Sequence, residues 1–406
     1  MFISDYQSYH LNYNLCNHQE KIIALNYSIP MVIKQNRPDF SIKISNNMET
    51  KPQWTQDDVV ALYNKPIMDL LYEAASIHRK YHDPNKVQVS TLISIKTGGC
   101  PEDCAYCPQA ARYHTNVKAE GLMSLEQVKE QALAAKAGGS SRICMGAAWR
   151  NVKDGPEFDH VLEMVRTLNR LDMEVCCTLG MLTENQAQRL SEAGLYAYNH
   201  NLDSSADYYK EIISTRSYDD RLQTIENVRK TNITVCSGGI IGMGESIADR
   251  AAMLVTLASL IPQPESVPIN ALVPVPGTPM EVMEAVSIWE MVRMVATARI
   301  LLPTTQVRLS AGRTNMSTEG QALCFFAGAN SIFSGDKLLT TPNPAINEDM
   351  DMFKTLGLVA QQPFEKKNQP ETTATEMAHY HDLGERPRWS RPEHTIQRNI
   401  AKQQDK

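Results

Sequence analysis

The run Val87-Gln88-Val89-Ser90-Thr91-Leu92-Ile93-Ser94-Ile95 leads, through Lys96-Thr97-Gly98-Gly99, into Cys100-Pro101-Glu102-Asp103-Cys104-Ala105-Tyr106-Cys107. The first half is apolar and β-branched, as a strand requires. The second half sets three thiols on one short loop, spaced by three residues and then by two. Thiolates so placed can grip three irons of a cubane and leave the fourth open to a substrate. Ordinary 4Fe–4S sites take four cysteines, so an open iron implies chemistry at the metal. A structural zinc site would show two CxxC pairs, and these are absent.

Outward from this loop the chain alternates. Further apolar or β-branched runs lie at 142–145, 174–179, 195–201, 233–240, 267–272, 306–309 and 331–333, with helical patterns between them. Ser124 and Gln127 form a capping box. Leu125, Val128, Ala132 and Ala135 then share a face, and Gly138-Gly139 is the stop. Thr183 with Gln186 repeats the device, and Gly194 ends that helix. Eight strands alternating with helices predict an α/β fold, a (β/α)8 TIM-type barrel. A doubly wound open sheet has the same periodicity and competes with it.

A chain of 406 residues can bury one large core or two smaller ones. With 42% hydrophobic and 21% charged residues and a net charge of -6, it lacks the basic balance of a nucleic-acid binder. No apolar run approaches the roughly 20 residues that span a bilayer, and the first segment lacks a basic stretch followed by an apolar core, so a secretory signal is not expected. Nine scattered cysteines do not make a disulfide scaffold; reduced thiols in the cytoplasm fit better. A mitochondrial transit peptide would be Arg-rich and acid-poor. Residues 1–47 contain only Arg37 and include Asp5, Glu20 and Asp39. They read as a disordered extension ahead of a start at Met48. The organised domain is expected over 48–362, and the polar stretch 363–406 has the composition of an unfolded tail.

In a barrel, function gathers at the C-terminal ends of the strands. Asn199, Asn201 and Asp203 fall at alternate positions of the fourth run and would share a face toward a polar ligand; a hydrated strand end is the plainer alternative. Cys144, Cys176 and Cys236 lie on the second, third and fifth runs, and Arg308 on the seventh. Singly, each cysteine suits a small buried hydrophobe. Together they would converge, and three thiolates with one further donor complete a 2Fe–2S site. Arginine is a very poor metal ligand, and Arg308 could instead pair with a carboxylate or sulfide. The glycines of Gly238-Gly239-Ile240-Ile241-Gly242-Met243-Gly244, expected after the fifth strand, would let backbone approach a ligand or simply make turns. Pro276-Gly277-Thr278-Pro279 reads as a rigid turn, and Cys16, Cys177 and Cys324 carry no assigned role.

CxxxCxxC with Tyr106 before the last cysteine resembles the radical S-adenosylmethionine signature. VSTLISIKTG at 89–98, CMGAAW at 144–149, YNHNLD at 198–203, VCSGG at 235–239, RLSAGR at 308–313, GANSIF at 328–333 and LLTTPNP at 338–344 are similar to the biotin synthase family. The resemblance spans about 48–362. It implies a (β/α)8 homodimer, a radical sulfurtransferase that converts dethiobiotin to biotin with an electron from a flavodoxin- or ferredoxin-like protein. It places a 4Fe–4S cluster on Cys100, Cys104 and Cys107, its open iron chelated by S-adenosylmethionine. A 2Fe–2S cluster, the sulfur donor, would sit on Cys144, Cys176, Cys236 and Arg308. Asn201 and Asp203 would meet the cofactor ribose, Arg221 its carboxylate, and Tyr106 and Ile240 its adenine. Asn199, Asn201, Asn270, Thr340 and Thr341 would surround the ureido ring and acidic tail of the substrate. Rival readings are another radical enzyme of this barrel type, a mutase or maturase, and a non-catalytic zinc or iron–sulfur scaffold. The rival enzymes would not need Cys144, Cys176, Cys236 and Arg308 together.

Overall fold

The computed structural model describes residues 54–365. The extension over 1–47, Cys16, and all but the first three residues of the 363–406 tail lie outside them. Helices α1 (Gln56–Tyr63) and α2 (Ile67–Tyr81) precede the first strand. The strands are β1 (Lys86–Lys96), β2 (Arg142–Ala147), β3 (Glu174–Thr178) and β4 (Ala197–Asn199). A fifth stave, split into β5 (Thr234–Cys236) and β6 (Gly239–Ile241), precedes β7 (Ser266–Ala271), β8 (Gln306–Leu309) and β9 (Ser331–Phe333). Between them run α3 (Leu125–Ala137), α4 (Pro156–Asn169), α5 (Glu184–Glu192), α6 (Ala206–Ile212), α7 (Tyr218–Arg229), α8 (Ile247–Ser259), α9 (Ile288–Leu301) and α10 (Thr318–Phe326).

All staves pair in parallel, and β9 returns to β1 with Gln88 opposite Ser331 and Ser90 opposite Phe333. That ladder closes the sheet into a barrel and removes the open-sheet alternative. Alternation then sorts the side chains. Ile143, Met145, Val175, Cys177, Val267, Val307, Leu309 and Ile332 face the helices in the main core. Cys144, Cys176, Cys236 and Phe333 gather in a separate interior group. The two expected capping boxes form at Ser124 and Thr183, and Thr55, Ser217 and Ser246 add three more. Each cap of this kind stabilises by about 1 kcal/mol. Among the described residues no helix is long and apolar enough to cross a membrane.

After β9 a hairpin of β10 (Lys337–Leu338) and β11 (Thr341–Pro342) leads into α11 (Ile346–Leu356), and β12 (Val359–Ala360) pairs with the start of β1. Beneath the thiols, at the N-terminal end of the strands, Arg142 is fully buried between Glu174 at 2.8 Å and Glu265 at 3.1 Å. Its guanidinium also lies 4.9 Å from the Tyr196 ring. The Phe364 amide donates to Glu174 (2.9 Å), and its ring packs edge-on against Tyr196.

Two expectations require correction. Strand β4 ends at Asn199, so Asn199, Asn201 and Asp203 are not three rungs of one strand. The amides of His200 and Leu202 still donate to the Cys236 and Gly238 carbonyls, but Asp203 adopts φ 67° and turns the chain. Nor does the whole glycine run follow the fifth stave: Gly242 and Gly244, at φ 94° and 106°, supply turns after it, but Gly238 and Gly239 lie within it. Gly239 begins β6, pressed against β7 and α8. A Cβ at Gly238 would collide with the Pro268 carbonyl, and one at Gly239 would meet the Asp203 carbonyl at 2.7 Å. Close packing of neighbouring backbone is thus the local reason for both glycines. Gly238→Ala is expected to destabilise the apo-protein by about 2 kcal/mol. A thermal or denaturant midpoint equal to that of the parent would contradict this packing.

Candidate active site

The cysteine loop leaves the end of β1 through Gly98 and Gly99, both left-handed at φ 68° and 69°. At Gly98 a Cβ would meet the Lys118 carbonyl at 2.9 Å, so both conformation and space demand glycine there. The loop folds on itself. The Cys100 amide donates to Gln109 (2.9 Å), Ala111 to Cys100 (2.7 Å) and Cys107 to Cys104 (2.9 Å). Asp103 staples it to the 214–215 segment, accepting from the Ser214 and Thr215 amides at 2.9 and 3.1 Å. Burial raises the Asp103 carboxyl, but the bonds from Ser214 and Thr215 outweigh it and hold it at about 2. Burial pushes the thiols the other way: Cys100 upward, Cys104 to about 11 and Cys107 to about 12. A metal that takes these thiols as ligands must therefore displace their protons.

Inside the barrel, Cys144 of β2 lies in register with Cys176 of β3, and Asn199 of β4 with Cys236 of β5. All three thiols are buried. Hydrogen bonding to Cys176 favours the charged forms of Cys144 and Cys236, lowering both and raising Cys176; the charge of Arg308 assists the lowering. Arg308 is 0% exposed. Its Nε donates to Ser331 Oγ (2.9 Å), Nη2 to Gln88 Oε1 (2.9 Å) and Ser90 Oγ (3.4 Å), and Nη1 to Cys236 Sγ (3.7 Å). Among the described residues no carboxylate lies within ion-pair distance of it, so the carboxylate alternative for Arg308 is not what the fold provides. A buried cation held by neutral oxygens and thiols calls for an anionic group. That is the chemistry of thiolates bridged by sulfide, and the donor set fits it. No three His, Cys, Asp or Glu side chains among the described residues surround a single ion. The thiols therefore point to clusters by chemistry and placement, not as a closed cage.

The segment 199–203 links the two thiol sets. Asn199 Nδ2 donates to Cys236 Sγ (3.3 Å) and to Asn201 Oδ1 (3.0 Å), and Asn201 accepts from the Gly238 amide (3.2 Å). Asp203 instead reaches the cysteine loop, accepting from Tyr106 Oη (3.0 Å) and pairing with Arg221. Arg221 also donates to Tyr209 Oη (2.9 Å). Asn270 bridges the Gly239 carbonyl (3.0 Å) and the Ala311 amide (3.2 Å), opposite Ile240 in the ladder. Thr340 and Thr341 are half-buried at the hairpin. Leu339, just before them, has φ 51° and lies over Gly146 of β2. Cys177 and Cys324 belong to the main core. Pro276-Gly277 makes the expected turn, with φ 86° at Gly277.

Sequence reasoning missed Gln88, Ser90 and Ser331, which hold Arg308, and Arg216, whose Nη2 donates to Cys104 Sγ at 3.8 Å. Gln88 and Ser90 carried a signal, being polar at alternate positions of an otherwise apolar strand. Arg216 carried none.

A closed parallel barrel with a three-cysteine loop after its first strand defines a radical S-adenosylmethionine enzyme. Residues 94–257 match the radical SAM superfamily model, and 268–359 match the Biotin and Thiamin Synthesis associated domain. Biotin synthase of Christiangramia forsetii is 74% identical over 358 residues, covering 88% of this chain and 99% of that protein. Biotin synthase of Flavobacterium johnsoniae is 75% identical, covering 87% and 98%. The chain belongs to the biotin synthase family. The match with the Christiangramia protein is longer than the segment 48–362, so part of the terminal sequence is shared as well. Among solved structures, methylornithine synthase superposes with TM-score 0.64 at 18% identity, covering 77% of this chain and 95% of that one. A FeFe-hydrogenase maturase from Carboxydothermus hydrogenoformans gives 0.64 at 16%, covering 76% of each chain. These two likenesses concern the fold alone.

Asp203→Ala leaves the Arg221 charge buried without its carboxylate. It is expected to lower apo-protein stability by about 3 kcal/mol, read from denaturant unfolding. An unchanged midpoint would mean that the pair is not structural.

Proposed function

We propose that this chain closes the sulfur ring of biotin by inserting sulfur into dethiobiotin with S-adenosylmethionine. One observation carries this reading: Cys144, Cys176, Cys236 and Arg308 meet on a single interior level, below a CxxxCxxC loop at the mouth of the barrel. Cys100, Cys104 and Cys107 would hold a 4Fe–4S cluster; Cys144, Cys176 and Cys236, with Arg308 as the fourth ligand, would hold a 2Fe–2S cluster. Bound there, the two groups supply the electron that cleaves S-adenosylmethionine and the sulfide for carbon–sulfur bond formation.

The residues do the positioning. Asn199 lies against Cys236 and presents an amide suited to the donors and acceptors of a ureido ring. The Asn270 amide makes two backbone bonds, which leaves one N–H and further acceptor capacity for the same ring. Thr340 and Thr341 bring hydroxyls suited to an acidic tail. Asn201 and Asp203 would accept from ribose hydroxyls, Arg221 would face the cofactor carboxylate, and Tyr106 and Ile240 would flank the adenine. Asp203, tied to Tyr106 on the loop, keeps these contacts within one segment of the inner thiols. Such proximity in a dry interior directs a reactive carbon to sulfur rather than to solvent.

The working unit is a homodimer served by a flavodoxin- or ferredoxin-like reductant; family resemblance supports both. The cysteines of the described residues are free, which supports a reducing compartment such as the cytoplasm.

The test is an anaerobic assay of the reconstituted protein with dethiobiotin, S-adenosylmethionine and reductant, following biotin. Cys100→Ala is expected to abolish formation of 5′-deoxyadenosine. Cys144→Ala should lose the 2Fe–2S absorption and all biotin while retaining some cofactor cleavage; normal biotin yield from that variant would refute the sulfur-donor role.

A further inference from the structure

Arg216 stands between α6 and α7, outside the strand-borne residues considered so far. The cysteine loop and this segment are stitched together at several points. The Ala105 amide donates to the Ile212 carbonyl (2.9 Å), and Asp103 accepts from the backbone of Ser214 and Thr215 and from Thr215 Oγ1 (2.9 Å). The next residue in the chain is Arg216, and its Nη2 lies 3.8 Å from Cys104 Sγ. Its Nε is enclosed and has no hydrogen-bond partner among the described residues. No carboxylate there lies within ion-pair distance of it. The nearby Glu102 is taken by Arg150 at 3.5 Å and by Thr215. Arg221, the other arginine of this corner, already has Asp203 as its counter-charge. Arg216 is therefore an unmatched positive charge facing Cys104.

We propose that Arg216 is a positioning residue for electron entry: its guanidinium donates to the Cys104 sulfur and raises the reduction potential of the cluster on the loop. Cluster potentials respond to net charge and to hydrogen bonds on the sulfurs. An added electron beside a fixed cation is favoured by direct Coulomb attraction, strengthened where water is excluded. The Asp103 staple holds the arginine in place, so the charge needs no reorganisation when the electron arrives.

The inference rests on the reading of Cys104 as a ligand of the 4Fe–4S cluster. The full chain, Arg216→Met, Arg216→Gln and Arg216→Lys are reconstituted anaerobically with iron and sulfide. The reduced 4Fe–4S signal is then titrated against applied potential by electron paramagnetic resonance. In Arg216→Met the midpoint should move negative, with the reduced-to-oxidised ratio at the parent midpoint falling about tenfold, and Arg216→Lys should recover much of it. An unchanged midpoint in Arg216→Met with full iron content overturns the proposal. Where the methionine variant fails to hold iron, Arg216→Gln, which keeps an N–H donor without the charge, decides by the same criterion. Loss of iron from Met and Gln but not Lys supports the charge; loss from all three marks a merely structural side chain and overturns it. Cys104→Ala is measured in parallel. Full iron and an intact signal in that variant would defeat the ligand reading itself, a failure separate from that of Arg216.

Discussion

Closure of the sheet by the β1–β9 ladder is the constraint on which the interior depends. With Gln88 opposite Ser331 and Ser90 opposite Phe333, the inward positions of every stave face a common axis. Residues separated by more than two hundred positions then become neighbours: Arg308 reaches Gln88 and Ser90 across that seam. A one-residue slip in any stave would carry its thiol to the helix side. Cys176 and Cys177 show the two outcomes next to each other, one in the thiol group and one in the main core.

Three levels of buried arginine organise the axis. At the bottom, Arg142 is compensated by Glu174 and Glu265, which makes that level an ion-paired floor. At the top, Arg221 is compensated by Asp203. Between them Arg308 meets neutral oxygens, the Cys236 sulfur and the face of the Phe333 ring, with no carboxylate among the described residues. Burying a charge is costly unless it is matched, so among these three the level of Arg308 is the one built to receive negative charge. Electrostatics thereby distinguishes one level of an otherwise continuous interior.

Much of the fold was legible in the chain because it rests on local rules. Runs of apolar or β-branched residues marked all eight staves, and the capping boxes at Ser124 and Thr183 formed as read. The strand ends were not legible. Asn199, Asn201 and Asp203 alternate as a strand would, but Asp203 takes a left-handed turn that delivers its carboxylate to Tyr106 on the cysteine loop. The glycine run left ligand approach and turns both open; neighbouring backbone at Pro268 and Asp203 explains Gly238 and Gly239.

Arg216 shows most plainly what distance along the chain conceals. Nothing in Ser214-Thr215-Arg216 announces a partner more than a hundred positions away. Only the hydrogen bonds from that segment to Asp103 bring its charge to Cys104. The order of residues alone determined the thiol spacing of the loop, the strand–helix rhythm and the identity of the converging donors, since these depend on near neighbours and side-chain chemistry. Tertiary structure decided which charges are matched and which are left facing sulfur, because matching depends on through-space distance once the sheet has closed.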